Sequence, residues 1–459
     1  MGQPLRRPHA SVAAPRGRLM LSRRRLLTGG LTLGAAGAGL SALAACAGTL
    51  PPVDTTADGF GQDATGTVTA WCRSATQTGV QAAAASFNEQ HEDLEVQVLP
   101  IPDAQYVTKL ATSIRGGSVP DLVDVDLINC PLFYVRDAFA DLTDLVAALP
   151  FRDALSAGHM GLLTHEDRIY GTPFLGDYST LFANTDLLGR AGFELAEVSG
   201  SLESLMATCQ SLKTALPDVR PWAFPGNASG AMGFTIQPMI WAAGTDLISG
   251  DLGDQSGNVL GNDVVEAVLE FHRQLWVDEL VPRRTYVADG AQWGNAYRSG
   301  EVVFLPSAYG PAVAEADESF RPLSQNVLVP GPDGGKATFS GGDNMCILNG
   351  AANASGAWQF MRYTLELEVQ RSLPASGYMP IRSDSADADF SARYEQATVP
   401  VRQLDEGYVP SSLAYNLLYN QSSSPWLAMI RRAVFDGDTP GALAEAQSEY
   451  DRILTQTQL

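Results

Sequence analysis

An α/β architecture with more than one folded lobe follows from three features of this 459-residue sequence. Short β-branched runs alternate with alanine-rich or amphipathic runs of helical length, the pattern of βαβ units and parallel strands. Apolar residues make up 45% of the chain against 18% charged, enough to bury sizeable cores. The length exceeds what one core usually covers, so two or three domains, or one discontinuous pair of lobes, are expected, built on open, mostly parallel sheets flanked by helices.

The run 67–71 is β-branched and reads as a strand, 80–90 as an alanine-rich helix, and 94–99 as a second strand. A helix over 106–115 is stopped by Gly116 and Gly117, and 121–125 forms a third, buried strand. In open sheets of this kind ligands sit at the carboxyl ends of strands, which points to the loops after Trp71 and Val125. Farther on, 170–174 leads through Pro173 to a strand at 180–182 that runs into a helix at 185–191, and a composition shift marks a lobe crossing here. An amphipathic helix over 264–277, a strand over 300–306, a second crossing at 327–330 and long helices at 354–368 and 442–454 complete the pass.

Arg23, Arg24 and Arg25 precede a stretch that carries no charge until Asp54 and is diluted by Gly29, Gly30, Gly34, Gly37 and Gly39. A charged n-region followed by a weakly apolar, glycine-rich segment reads as a twin-arginine secretion signal. It ends in Leu43-Ala44-Ala45-Cys46, which resembles a bacterial lipoprotein box. Residues 1–45 are therefore expected to be removed and Cys46 to carry the acyl chains of an anchor, with a plain transmembrane anchor as the alternative. Residues 46–66 hold Pro51 and Pro52 and no apolar periodicity, and read as a flexible tether. Loss of the seven arginines within residues 1–45 takes the net charge from −21 to −28. Such a surface repels phosphate backbones and anionic lipid, so no nucleic acid and no membrane contact beyond the anchor is expected.

Catalytic and metal chemistry find little support. His91, His159, His165 and His272 lack metal-ligand spacing, and no phosphate-cradling glycine loop with its lysine is present. Asp246, Asp251, Asp254 and Asn258 cluster in a glycine-rich segment without the regular spacing of a calcium loop, so a solvated turn is the better reading. Neither cofactor nor metal is expected. One disulfide among Cys72, Cys130 and Cys346 is compatible with export, and Cys209 reads as a buried free thiol.

Several segments taken in order resemble the extracellular solute-binding proteins of ATP-driven importers, in the branch that includes maltose- and other sugar-binding proteins. They are Val68-Thr69-Ala70-Trp71, the run Gly116-Gly117-Ser118-Val119-Pro120-Asp121, Tyr170-Gly171-Thr172-Pro173 followed by Thr185-Asp186-Leu187-Leu188, Ser299-Gly300-Glu301-Val302-Val303, Gly341-Gly342, and Gly377-Tyr378-Met379-Pro380. The resemblance spans about residues 67–454. It implies the two-lobed type II periplasmic-binding-protein fold, with one lobe formed by 67–174 plus 331–367 and the other by 175–330 plus 368–459. It also implies a monomeric lipoprotein that presents a sugar or sugar-like solute to permease subunits and does no covalent chemistry.

A sugar offers apolar C–H faces and directional hydroxyls, so its site wants flat aromatics beside Asp, Asn, Gln and Arg. The loops at the strand ends supply Trp71, Arg73, Ser74, Gln77, Asp126 and Asn129, the alternatives being that Trp71 packs inside its lobe and that the last two cap a turn. The resemblance implies a ligand-binding acid at Asp177, beside Tyr178. It further implies cleft positions at Asn227, at Trp241 and Gly244 in an aromatic-Ala-Ala-Gly turn, and at Ser307, Tyr309 and Gly310. Gly341, Gly342 and Asp343 bring the first lobe back to the cleft, and Tyr378 and Arg382 complete the set. A glycerophosphodiester ligand would need more cationic contacts than Arg73, a surface glycosidase would need two carboxylates at catalytic separation, and a sensory lipoprotein would transport nothing.

Overall fold

The chain folds by alternating strands whose two faces are both covered, and the computed structural model describes residues 50–290 and 293–458. The proposed signal at 1–45, Cys46 and the first residues of the tether lie outside the described residues. Strand β1 (Gly66–Arg73) pairs in parallel with β2 (Leu94–Ile101) and β3 (Leu122–Asp126), across the helices Gln77–Gln90 and Asp103–Gly116. The second helix stops at Gly117, whose φ of 68° and N–H bonds to the carbonyls of Ser113 and Ile114 close the last turn.

After the hairpin β4 (Thr164–His165) and β5 (Arg168–Ile169), the chain enters β6 (Thr172–Tyr178) and then β7 (Thr180–Asn184). Strand β8 (Arg220–Trp222), the hairpin β9 (Ile248–Ser249) and β10 (Ser256–Gly257), β11 (Val302–Ser307) and β12 (Ser324–Val327) follow. The last strands are β13 (Val329–Pro330), the long β14 (Lys336–Ile347) and β15 (Gly407–Tyr408). One sheet runs β13-β14-β3-β1-β2, with β6 and β15 also paired to β14, and a second runs β12-β7-β11-β8.

The parallel core β2-β1-β3 matches expectation, but the remaining pairings are less parallel than the sequence reading. β14 is antiparallel to both β3 and β6, and in the second sheet only β11 with β8 is parallel. The cause is the crossings: β6 runs into β7 and β12 into β14, so these strands traverse the junction of the sheets against the βαβ direction.

Alternation along the strands supplies cores on both faces. Val68, Phe87, Leu122, Phe174, Trp358 and Phe360 pack on one face of the first sheet, and Ile101, Tyr106, Val125, Phe133 and Cys346 on the other. Leu181, Trp222, Val303 and Trp426 cover one face of the second sheet, with Phe182, Val302, Leu305 and Phe390 opposite.

Four expectations are corrected. The stretch 50–66 is no tether where described: Leu50 is buried, Val53 and Phe60 pack on the first core, Gly350 donates to the Pro51 carbonyl, and Gly61 N–H to Ser355 Oγ. The helix expected over 354–368 breaks into Ala354–Thr364 and Leu367–Ser372, because Gln370 Nε2 takes the Thr364 carbonyl at 2.7 Å and Arg382 Nη1 the Leu365 carbonyl at 2.7 Å. The segment after 367, assigned by sequence to the second lobe, puts Leu373 and Ile381 into the core beneath β1. All four described cysteines are buried free thiols: Cys72 faces one core of the first sheet, whereas Cys130 and Cys346 neighbour each other in the opposite one. No helix among the described residues is long and apolar enough to cross a membrane.

Candidate functional site

A cavity of about 300 Å³ lies where the carboxyl ends of β1 and β3, the crossing strands β6 and β14, and the helix Ser229–Trp241 converge. Strand geometry places Arg73 and Asp126 at its floor. The first sheet and its loops contribute Arg73, Thr76, Asp126 and Tyr378; the second half contributes Gly230, Phe234, Tyr415 and Asn420; the crossings contribute Asp177, Phe339, Gly342 and Asp343. Asp177 and Tyr378 also line an adjoining space of about 460 Å³ that reaches Gly310 and Glu315.

Charge in this cavity is strongly asymmetric. Arg73 donates from Nε to Asp343 Oδ2 at 2.8 Å and from Nη2 to Asp343 Oδ1, and its Nη1 stands 3.4 Å from both Asp103 Oδ1 and Asp126 Oδ2. Asp343 is fully buried, so this paired contact holds the guanidinium in place. Behind it, Thr76 Oγ1 donates to Asp124 Oδ2 at 2.6 Å, and burial beside Asp343 pushes the Asp124 carboxyl well above the usual range. Burial lifts Asp126 to about 6 against the pull of Arg73, and lifts Asp177 to about 6 for the same reason. Among the described residues nothing donates a hydrogen bond to the Asp177 carboxylate.

Two glycines on β14 serve the crossing itself. A Cβ on Gly342, at φ +128°, would stand 2.1 Å from the Leu175 carbonyl, and one on Gly341 would stand 2.8 Å from that of Asp177. The close approach anticipated at these positions is therefore of β14 to β6, with Gly341 opposite Asp177 and Asp343 opposite Leu175.

The cavity brings together Arg73, Asp126, Asp177, Gly341, Gly342, Asp343 and Tyr378 from the sequence-based set, and Gly310 joins through the adjoining space. The remainder lie elsewhere. Trp71 lines an outer hollow along the helix Asp103–Gly116 with Lys109 Nζ 4.8 Å above its ring, because its parity on β1 turns it toward that helix. Ser74 spends its N–H on the Ile101 carbonyl, Gln77 is exposed at a helix start, and Asn129 is buried after β3. Tyr178 is wholly buried and donates to the Pro380 carbonyl, since alternation on β6 sends it away from Asp177. Asn227 is exposed, and its N–H binds the Ala288 carbonyl. Trp241 is buried with Nε1 on Asp246 Oδ1 at 3.0 Å, and Gly244 closes the turn after it at φ +74°. Ser307 and Tyr309 belong to the second-sheet interior. Arg382 is 5% exposed, paired with Asp384 and packed 3.9 Å over Phe151, which removes it from the cavity.

Sequence reading passed over Thr76, Phe234, Phe339, Tyr415 and Asn420. Phe234 sits in a uniformly apolar run whose periodicity does not separate core from cavity; its ring lies 5.2 Å from Phe339. Asp246, considered for calcium, instead accepts from Trp241, Leu247 N–H and Tyr408, and among the described residues no group of three or more His, Cys, Asp or Glu is arranged to hold a metal ion.

Comparison with known proteins follows from this geometry. A family model described as bacterial extracellular solute-binding protein matches residues 82–399. The lactose-binding protein of Rhizobium radiobacter is 24% identical over 322 residues, covering 67% of this chain and 73% of that one. Among solved structures, the sugar-binding protein MalE of Xanthomonas citri superposes with a TM-score of 0.73 at 20% identity over 85% of this chain and 98% of that one. The GacH receptor of Streptomyces glaucescens GLA.O, solved unliganded and with acarbose, gives 0.69 at 20% identity over 86% and 99%.

Proposed function

The chain belongs to the bacterial extracellular solute-binding protein family, and from that premise we propose that it is the substrate-binding subunit of an ATP-driven importer, capturing a carbohydrate between two lobes and delivering it to a membrane permease. The observation that carries this reading is the cavity at the crossings, where aromatic rings arrive from both halves of the molecule beside carboxylates of the first sheet and the crossing strands. Tyr378, Phe234 and Tyr415 offer faces for C–H surfaces, while Asp126, Asp177 and Asn420 offer directional polar contacts. The printed ligands of its relatives, lactose and acarbose among them, support a sugar or sugar-like solute.

In this reading the segments 50–66 and 367–382 join the first lobe, and the crossings at β6–β7 and β12–β14 are the hinge. Closure follows from differential affinity: a ligand that touches Tyr378 on one side and Phe234 on the other binds the closed form more tightly and shifts the population toward it. The protein acts as a monomer by non-covalent capture and is held to the outer face of the membrane through Cys46. Replacing Cys46 by Ala should move the full chain from the membrane fraction to the soluble one; retention in the membrane would count against the lipid anchor.

Thermal-shift screening of mono- and oligosaccharides tests the ligand assignment, since a ligand at a hundred times its Kd stabilises by about 2.7 kcal/mol. Asp177→Ala is expected to abolish the shift given by the best sugar. An unaltered shift would take Asp177 out of the site.

A further inference from the structure

The cavity is built for more positive charge than it contains. Three carboxylates, Asp126, Asp177 and Asp343, line it beside the single guanidinium of Arg73. That guanidinium is committed to Asp343 through two hydrogen bonds and only grazes Asp126 at 3.4 Å. Behind it, Asp124 is buried beside Asp343 with its carboxyl pushed well above the usual range, so it is held protonated and supplies no charge of its own. Asp177 is left facing the space with neither ion pair nor hydrogen bond among the described residues. A half-buried carboxylate in this state is unfavourable unless a cation or several donors arrive. Hydroxyls of a neutral sugar would donate to Asp177 yet leave its charge unpaired, whereas Asp126 already accepts the Ile128 N–H and stands 3.4 Å from Arg73 Nη1. A protonated amine would add the one positive charge that Asp177 lacks and donate hydrogen bonds to both carboxylates.

The surroundings favour an organic cation. Four aromatic rings, Phe234, Phe339, Tyr378 and Tyr415, line the same cavity, and ring faces attract an ammonium group. Acids and tyrosines also surround the position from every packed element. Arg73 approaches from β1, Asp126 and Asp124 from β3, and Asp343 from β14. Tyr378 comes from the loop before β6's bridge partner Met379, and Tyr415 from the segment before Asn420. Glu315, in the adjoining space, is paired with Arg298 at 2.9 Å, so that guanidinium is engaged and the glutamate adds no further unpaired charge. A zwitterionic amino acid would need a second cation for its carboxylate, and Arg73 is already engaged.

We propose that the solute is an aminated sugar, whose ammonium group is held between Asp177 and Asp126 while its ring faces lie on Tyr378 and Phe234. This rests on the carbohydrate-binding reading above and narrows its substrate class.

The test compares matched sets on the whole secreted chain by calorimetry: gluco- and galacto-configured mono- and disaccharides, each as the parent sugar, the free amine and the N-acetyl form. In the best-bound frame the free amine is expected to bind at least tenfold more tightly than both neutral counterparts. Its affinity should fall with added salt and rise from pH 5 to pH 7 as the two carboxyls ionise, with the neutral sugars changing far less. Asp177→Asn should erase the amine preference in that frame, lowering amine affinity by more than it lowers that of the parent sugar. A parent or N-acetyl sugar that binds as tightly as its amine would overturn this inference and leave the sugar-binding reading standing. Failure of every sugar in every form would instead overturn the sugar-binding reading, and this inference with it. A simple diamine such as putrescine that binds as tightly as the best aminosugar would overturn the sugar frame.

Discussion

Asp177 combines two properties that pull against each other: it faces the cavity, and among the described residues no ion pair or hydrogen bond reaches its carboxylate. Its carboxyl titrates near 6 in the fold because burial disfavours the charge, against an ordinary value of 3.8. Between about pH 4 and 6 the folded chain therefore holds more proton at this site than the unfolded chain, and the site makes stability fall as pH rises. His159 and His272 act in the opposite sense, since burial lowers both to about 4 and the unfolded chain then binds the extra proton up to 6.5. Asp177→Asn isolates the first effect. Its stability relative to the parent should grow with pH across 4 to 6 and reach a gain of about 1–2 kcal/mol at pH 7, after discounting for partial exposure. Chemical unfolding at several pH values reads this, and a pH-independent difference would contradict it. Of the residues that line the cavity, Arg73 and Asp126 were legible because they follow predicted strands, where ligands gather, and Asp177 because the family resemblance implies an acid there. Trp71 was misplaced by one step of strand parity, and Tyr415 and Asn420 carried no local signal, lying about 240 residues beyond Asp177 in sequence.

Strand β14 does more than any other element, pairing with β3, β6, β13 and β15 and carrying Phe339, Gly342 and Asp343 to the cavity. Its register with β6 shifts between Asp343 and Asn344, where Phe174 of β6 is left unpaired, and Gly342 beside it stands at φ +128°. An alanine there would meet the Leu175 carbonyl at 2.1 Å in a backbone conformation L-residues avoid. Gly342→Ala is expected to destabilise by roughly 3 kcal/mol or more and to weaken ligand binding with it. A denaturant midpoint within error of the parent would show that the crossing has room to relax. The broken helix after Thr364 is the other lesson at this level. Periodicity continued through 368, but the carbonyls that would have extended the helix are taken by Gln370 and Arg382, side chains that only the fold brings near.

Across the whole molecule, the stretch before β1 is part of the body. Leu50, Val53 and Phe60 cover the first core, and Thr55 Oγ1 donates to the Asp141 carbonyl at 3.0 Å. A chain starting at Gly66 is therefore expected to lose about 2–4 kcal/mol of stability, measurable as a lower melting temperature, whereas removal of a true tether would change nothing. By itself the amino-acid sequence determined the α/β order of elements, the stops at Gly117, the acidic surface and the family resemblance, because each is written in local periodicity, turn chemistry or composition. Only the tertiary structure decided which carboxylates share a cavity, which aromatic rings face them and where the proline-rich leader packs. Those are matters of proximity between residues up to about 300 positions apart, set by strand crossings and side-chain parity that no short window of sequence records.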